Sequence, residues 1–573
     1  MGAWLERMAV VALLGGALAM GVGCSSPMEG IGTRTAENSA TCGGEECHEP
    51  VVVAAGTGAH SSLECVTCHE GTGTDHAADP ASAKAQIDWR IDACSGCHED
   101  EAVTYLYDDN TKVGPFGGSQ RKPPQPKLDT FPKYNSIVAG HGFTREYNEE
   151  GAHAFMLEDH YETARGKFET CVQCKSTKLA YAWDTDKALT VESQTEIELT
   201  HTRAPGVDAR KVVIPAGTEI TYATDPDSRA VDAKATFPDG TVWSANPPKS
   251  EDATQHYNMV WASTIAAIKE TLPYGAGCNH CHDPHTGGER LVRKAMLDAI
   301  EGDGGPNGTG GVNPYIEGSP KEWQKASKKD RLTLMCAQCH VEYTCGKSGV
   351  DGVDRDAFGW AKATDLHDLY LNQFDYAQDW KHALIGEPLI KSQHPETELY
   401  WQSTHYDAGA SCADCHMPEV RGADNRTFRS HWFTSPYKYR DQVTWKAFAE
   451  STGVDPASDG NPCALCHADR TEEGIAQQQA FYARQAQVEE LLAQSVTRFE
   501  RLKGAKPTGR VNEAAYSAAL DAHRRAHVIW ENLAVSENSM GFHNFDEAMD
   551  SMAEAERQVR TALAKAEEAH PTE

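Results

Sequence analysis

Ser411-Cys412-Ala413-Asp414-Cys415-His416 sets two thiols three positions apart and a histidine directly after the second. The same C-x-x-C-H pattern stands at Cys65/Cys68/His69, Cys94/Cys97/His98, Cys278/Cys281/His282, Cys336/Cys339/His340 and Cys463/Cys466/His467. At this composition chance would give roughly 0.02 such matches, so the repetition is a c-type haem attachment signature. The spacing has a mechanical cause. Two thiols add to the two vinyl groups of one porphyrin, and the adjacent imidazole then reaches the iron from the proximal face. A structural zinc site also uses paired Cys and His, but six separate copies of one pentapeptide do not fit that use.

Two further segments are variants. Cys171-Val172-Gln173-Cys174-Lys175 keeps both thiols and replaces the histidine by lysine, while Cys42 to Cys47, followed by His48, stretches the gap to four residues. The second could instead be a loop disulfide. Counting both gives eight covalently bound haem c groups and sixteen of the 18 cysteines, leaving Cys24 and Cys345. Seven proximal histidines leave 18 of the 25, enough to give seven haems a second axial imidazole. Such saturated haems carry electrons and bind no substrate. The eighth differs: Lys175 must ligate as an unprotonated amine, so the metal has to depress its pKa. That iron is either also six-coordinate and tuned in potential, or open on its distal face to a small ligand.

The chain of 573 residues carries 84 acidic and 53 basic residues, a net charge of -31. That balance argues against nucleic-acid binding, which needs a basic surface. Residues 1–24 read as a secretion signal, with an apolar stretch from Met8 to Gly23 too short for a confident membrane span. Cys24, preceded by Gly21-Val22-Gly23 and followed by Ser25-Ser26, resembles a lipoprotein cleavage site, although a Leu is usual where Gly21 stands. It is either a lipid anchor or an incidental cysteine of a removed signal. Either way the expected location is the periplasm.

Several longer stretches carry a resemblance. TREYNEEGAHAF (144–155), ETARGKFETCVQCK (162–175), LMCAQCHVEY (334–343), IKSQHPE (390–396) and SCADCHMPEV (411–420) are similar to the pentahaem cytochrome c nitrite reductases. Three haem motifs ahead of the C-x-x-C-K segment match the octahaem branch of that family, which reduces nitrite to ammonium. The resemblance implies a catalytic Arg165, Tyr343 and His394 beside the Lys175-ligated haem. An Arg can fix and polarise an anion, and Tyr and His can supply protons to oxygens leaving as water. It implies a calcium site formed by Glu342, the backbone carbonyls of Tyr343 and Lys391, and the Gln393 side chain, an oxygen set that suits a hard cation. It implies a thioether cross-link between Tyr343 and Cys345, which would hold the phenol rigidly. It implies distal haem ligands at His153, His405, His431 and His543. The remaining distal ligands would come from His60, His76, His141, His256, His285, His367, His382 and similar residues, with no pairing assigned. Long helices would form a dimer interface, hence a homo-oligomer. Nitrite is the implied substrate, with hydroxylamine and sulfite as further ones. Electrons would come from a quinol-linked or small cytochrome donor.

The expected fold is a mainly α multihaem cytochrome c with closely stacked haems, much irregular loop, a small β insertion and long C-terminal helices. Residues 25–140 would form a three-haem electron-entry domain, in which RKPPQPKLDTFP (121–132) reads as an extended loop. Residues 141–470 would hold the active haem and four others, with a β-rich insertion at about 190–250 and a hairpin turn at Asp239-Gly240. Residues 471–573 would form long helices at about 471–502, 512–536 and 545–564, the first stopped by Gly504. Two rivals stand beside this reading: another octahaem enzyme, either a tetrathionate reductase or a hydroxylamine oxidoreductase, and a non-enzymatic electron conduit. C-x-x-C-K departs from the all-His motifs of hydroxylamine oxidoreductases.

Overall fold

Alanines at heptad spacing make the most regular part of the molecule. The computed structural model describes residues 57–63, 69–70, 86–87, 91–107, 133–141, 153–156, 172–177, 189–192, 197–201, 210–224, 231–244, 275–293, 296–297, 300, 323–343, 360–372 and most of 374–569. Cys24, Cys42, Cys47, His48, Cys65, Cys68, Arg165, Cys171 and Cys345 lie outside the described residues, as do His76, His256 and the 121–132 stretch.

Three long helices follow the last haem motif: α1 (Thr471–Ala505), α2 (Glu513–Trp530) and α3 (Phe545–Ala569). In α3 the buried apolar residues are Ala548, Met552, Ala555, Val559, Ala562, Ala566 and Ala569, alternately four and three apart, with Ser551 buried beside them. That is one face of a helix, and its small side chains let a neighbour approach closely. The neighbour is α2, which buries Ala515, Ala519, Ala522 and Ala526. The two run antiparallel, since the Asn512 N–H at the start of α2 donates to the Ala569 carbonyl at the end of α3 (2.8 Å). The aromatic and aliphatic bulk comes from α1, whose Phe481, Val488, Leu492, Val496, Phe499 and Leu502 fill the remaining space.

Three features differ from the sequence reading, the first being that α3 runs on to Ala569 and does not end at about 564. Gly504 does not stop α1, which continues to Ala505 and then tightens into a 3₁₀ turn at Lys506–Thr508. Gly509, with φ of +69°, closes the segment, because it adopts the left-handed conformation that lacks a Cβ penalty. The second helix changes character at its end: Glu531–Ser536 is a π-helical turn. Such turns widen the helix and re-aim its side chains.

Among the described residues, the span between the haem motifs at 171–175 and 278–282 carries six strands, β1 (Leu189–Glu192), β2 (Ile197–His201), β3 (Arg210–Ile214), β4 (Glu219–Thr224), β5 (Val231–Thr236) and β6 (Val242–Ser244). They form an antiparallel sheet in the order β1-β4-β5-β6 and a separate β2-β3 ribbon. The expected hairpin joins β5 to β6: Gly240 takes a φ of +84°, and the Phe237 N–H donates to the Thr241 carbonyl at 2.9 Å. Among the described residues, no helix is long and apolar enough to cross a membrane.

One buried carboxyl in the helical region makes stability depend on pH. Glu387 is 3% exposed. Burial pushes it up to about 9 from an ordinary 4.5, against the pull of Arg524. The folded chain therefore keeps a proton that the unfolded chain releases, so this group's contribution falls as pH rises from about 4.5 to 9. Glu387→Gln is expected to flatten the decline in the denaturant midpoint between pH 5 and pH 9. Equal slopes in variant and wild type would contradict it.

Candidate functional site

Each described haem motif folds as one tight turn, which brings its two thiols to one side of the chain. Cys412–His416 is a short helix whose first turn is closed by Ser411 and Asp414, with the Ser411 N–H donating to Asp414 Oδ2 at 2.9 Å. Cys278–His280 and Pro462–Leu465 are 3₁₀ turns. In four motifs the histidine N–H donates to the carbonyl of the first cysteine: His98 to Cys94 (3.0 Å), His282 to Cys278 (3.0 Å), His340 to Cys336 (2.9 Å) and His467 to Cys463 (2.9 Å). Cys97 is in a disulfide. Thioether attachment uses both thiols of a motif, so that bond has to be absent in the haem-loaded protein.

The histidines then face partners from distant sequence. Ring centroids lie 6.0 Å apart for His60 and His98, 6.3 Å for His282 and His431, 6.1 Å for His153 and His340, 6.2 Å for His416 and His543, and 5.9 Å for His405 and His467. A metal–imidazole bond of about 2.0–2.1 Å on each side of one ion puts two trans rings about 6 Å apart. The residues therefore fit axial ligation of one iron between each pair. Four of the partners are the histidines singled out by family resemblance. His60 is the addition, from the set that sequence could not pair. His69 is described only in its backbone, in a ribbon with Gln86–Ile87. His141 packs on Trp380, His285 faces Asp283, His367 faces Asp368, and His382 meets the Ser136 carbonyl.

Thiols of neighbouring motifs influence one another: Cys94 and Cys278, Cys174 and Cys339, and Cys336 and Cys412. Cys415 in turn feels the charges of Cys463 and Cys466. The attachment points thus run as a connected series through the described residues, with Cys174 joining it at the 336–340 motif.

Lys175 ends a helical turn, Val172–Lys175, that is stitched to the 275–280 segment. The Gly277 N–H donates to Thr177 Oγ1 at 2.7 Å, and Ala276 N–H to the His153 carbonyl at 3.3 Å. A Cβ on Gly275 would lie 2.9 Å from the Lys175 carbonyl and 3.0 Å from that of His153, so only glycine allows this approach. His394 is half-buried, and burial together with the positive charges of His340 and Lys175 pulls it down to about 4. The Lys175 charge thus reaches His394.

Three of the four residues expected to hold calcium, Glu342, Lys391 and Gln393, meet in one buried place. Glu342 accepts from Ser392 Oγ (2.6 Å), the Gln393 N–H (2.7 Å) and the Tyr370 hydroxyl. Burial pushes its carboxyl up to about 7 despite those donors. The Gln393 side-chain amide lies 2.9 Å from the Lys391 carbonyl. Carboxylate, carbonyl and amide are the donor types a hard cation takes, with the amide turned to present its oxygen. The π-helical turn braces this loop. Asn532 donates to Ser392 Oγ (2.9 Å), Ser536 to the Ser392 carbonyl (2.7 Å), and Lys391 Nζ lies 3.4 Å from Glu531.

Several contacts had no local signal in the sequence. The guanidinium of Arg293, itself fully buried, lies 4.4 Å over the Tyr343 ring, a cation–π contact. Glu537 holds His543 Nδ1 at 2.5 Å. Glu396 stands between His340 and His394. A carboxylate two residues after His394 could have been noticed in IKSQHPE; Arg293 and Glu537 could not.

The sequence family described as cytochrome c552 matches residues 106–191 and 239–572. The unmatched interval between those stretches holds β2 to β5. The chain is 28% identical over 350 residues to the cytochrome c nitrite reductase subunit NrfA of Nitratidesulfovibrio vulgaris, covering 57% of this chain and 60% of that protein. It is 28% identical over 229 residues to cytochrome c-552 of Porphyromonas gingivalis, covering 39% of this chain and 41% of that protein. The chain therefore spans less than two thirds of the length of these curated relatives. Among solved structures, the cytochrome c nitrite reductase catalytic subunit of Desulfovibrio desulfuricans, described with two calcium sites, has the same fold. The TM-score is 0.56 at 23% identity, over 84% of this chain and 86% of that one.

Proposed function

The chain belongs to the cytochrome c552 family, and from that premise we propose that it is an oxidoreductase reducing nitrite to ammonium at a haem attached through Cys171 and Cys174 and ligated by Lys175. The observation that supports the reading is that Gln393, next in chain to His394, is bound to Glu342, next in chain to Tyr343, while the Lys175 charge reaches His394. Around it, five histidine pairs stand at the spacing of axial ligands.

The haem group supplies electrons and a metal to which a small anion's lone pair can bind. The chain's own residues do the rest. Arg165 would fix and polarise the anion. Tyr343 and His394 would hand protons to the two oxygens that leave as water. Reduction of one nitrite takes six electrons and eight protons and yields one ammonium and two waters. Glu342, the Tyr343 and Lys391 carbonyls and Gln393 would hold calcium beside Tyr343, and Cys345 would tether that ring by a thioether.

The same reading extends outward. Eight haems would be present, three of them ahead of the reactive one, receiving electrons from a quinol-linked or small cytochrome donor. Hydroxylamine, a late stage of the same reduction, and sulfite, of similar size and charge, would be further substrates. The protein would work in the periplasm as a homo-oligomer, with Cys24 as a lipid anchor. A net charge of -31 supports an aqueous surface, and an anion would then need the local positive charge of Arg165 and calcium to enter.

A spectroscopic titration tests the reading. Cyanide or nitrite added to the purified protein is expected to perturb one haem and leave the others unchanged. A pure electron conduit, with every iron saturated, would show no response at all.

A further inference from the structure

Glu396 has a place between two centres that nothing above uses. Its Oε2 lies 3.4 Å from Nδ1 of His340, and its Oε1 lies 3.9 Å from Nδ1 of His394. The two rings are 5.7 Å apart, and the carboxylate lies within ion-pair reach of both. Both contacts use Nδ1, so each imidazole keeps Nε2 for the opposite side. The His340 ring also lies 6.1 Å from that of His153.

The backbone around Glu396 is built to hold this position. Thr397, one residue on, donates its N–H to the His340 carbonyl at 3.3 Å and its hydroxyl to the same oxygen. Glu398 Oε1 accepts the Glu342 N–H at 3.0 Å. The short helix Glu396–Tyr400 is therefore clamped to residues 340–342 at two backbone points, with Glu396 directed at the His340 ring.

We propose that Glu396 is a positioning residue shared by the two centres: one oxygen orients the axial imidazole of the 336–340 haem, and the other orients the proton-donating imidazole of the substrate site. This rests on the reading of Lys175, Tyr343 and His394 given above. An imidazole whose Nδ1–H is held by a carboxylate has a fixed tautomer and a more basic Nε2. A more basic axial ligand favours the oxidised iron, so the carboxylate lowers that haem's potential. The same carboxylate fixes the His394 ring so that Nε2 faces the substrate. The haem next in line to the reactive one and the proton donor of that site are thus set by a single side chain.

The test is a spectroelectrochemical titration of the haem-loaded protein, with nitrite kinetics, in wild type, Glu396→Gln and Glu396→Asp. In the glutamine variant one bis-His haem is expected to shift upward in potential, with the others unchanged. The kcat for nitrite should fall roughly 10–100-fold, the cost usual for removing such a partner, with KM little altered. The aspartate variant, which keeps the charge at shorter reach, should give a smaller shift of the same sign. If the glutamine variant does not load haem, the aspartate shift decides. Potentials unchanged in both variants would overturn the inference, even with activity lost, because packing alone could reduce activity. A wild-type protein that forms no ammonium would instead sink the reading of the site, while the potential shift remained measurable.

Discussion

Tyr343→Phe and His394→Ala are each expected to cut ammonium production from nitrite by about 10²–10⁴-fold, the range that a positioned acid or base contributes. Haem content and the low-spin spectrum should stay at wild-type levels. The expectation follows from where the two side chains sit. Tyr343 is 3% exposed, with the Arg293 guanidinium over its ring. Replacing it by Phe keeps the stacked ring and removes the hydroxyl, and with it the proposed thioether to Cys345. His394 is half-buried and feels the Lys175 charge. Removing it leaves the five facing histidine pairs in place, so electrons should still arrive. The two losses should not add, because both groups serve the same proton deliveries. Full activity in both variants would remove these residues from the site.

The second large effect is expected at Glu342. Glu342→Ala should abolish bound calcium, measured by elemental analysis, and lower nitrite turnover roughly 10–100-fold. The carboxylate holds Ser392, the Gln393 backbone and the Tyr370 hydroxyl together. Its removal leaves these buried donors without an acceptor, at about 1–3 kcal/mol for each one left unsatisfied. Chelation of wild-type protein should reproduce the turnover loss and added calcium should reverse it, whereas the variant should stay unresponsive to calcium. A variant with wild-type calcium content would show that the ion is held elsewhere.

Much of the site was legible because haem attachment is written locally. A five-residue pattern carries both thiols and the proximal ligand, and no other chemistry asks for it six times over. The helices after Cys466 were legible for a similar reason, since Val488, Leu492, Val496, Phe499 and Leu502 repeat at helical period. Their ends were not. Gly504 is a helix residue and Gly509 is the terminator, because a glycine ends a helix only where the backbone turns left-handed. The π-helical turn at Glu531–Ser536 had no signal either; the contacts of Asn532 and Ser536 with Ser392 accompany it. Distal ligands are set by tertiary contact. His60 and His98 are 38 positions apart, and His282 and His431 are 149 apart, so no spacing rule reaches them. Four of the five facing partners came from family resemblance and the fifth only from the fold. Arg293 shows the same limit most clearly, since a lone buried arginine fifty positions before Tyr343 has nothing local to mark it.

The most direct test of the central claim is the product stoichiometry of the purified, haem-loaded protein supplied with nitrite and a reduced dye. One ammonium for each nitrite consumed, with six dye electrons spent per ammonium, is the predicted result. Dye oxidation that leaves nitrite intact, or a product other than ammonium, would contradict it.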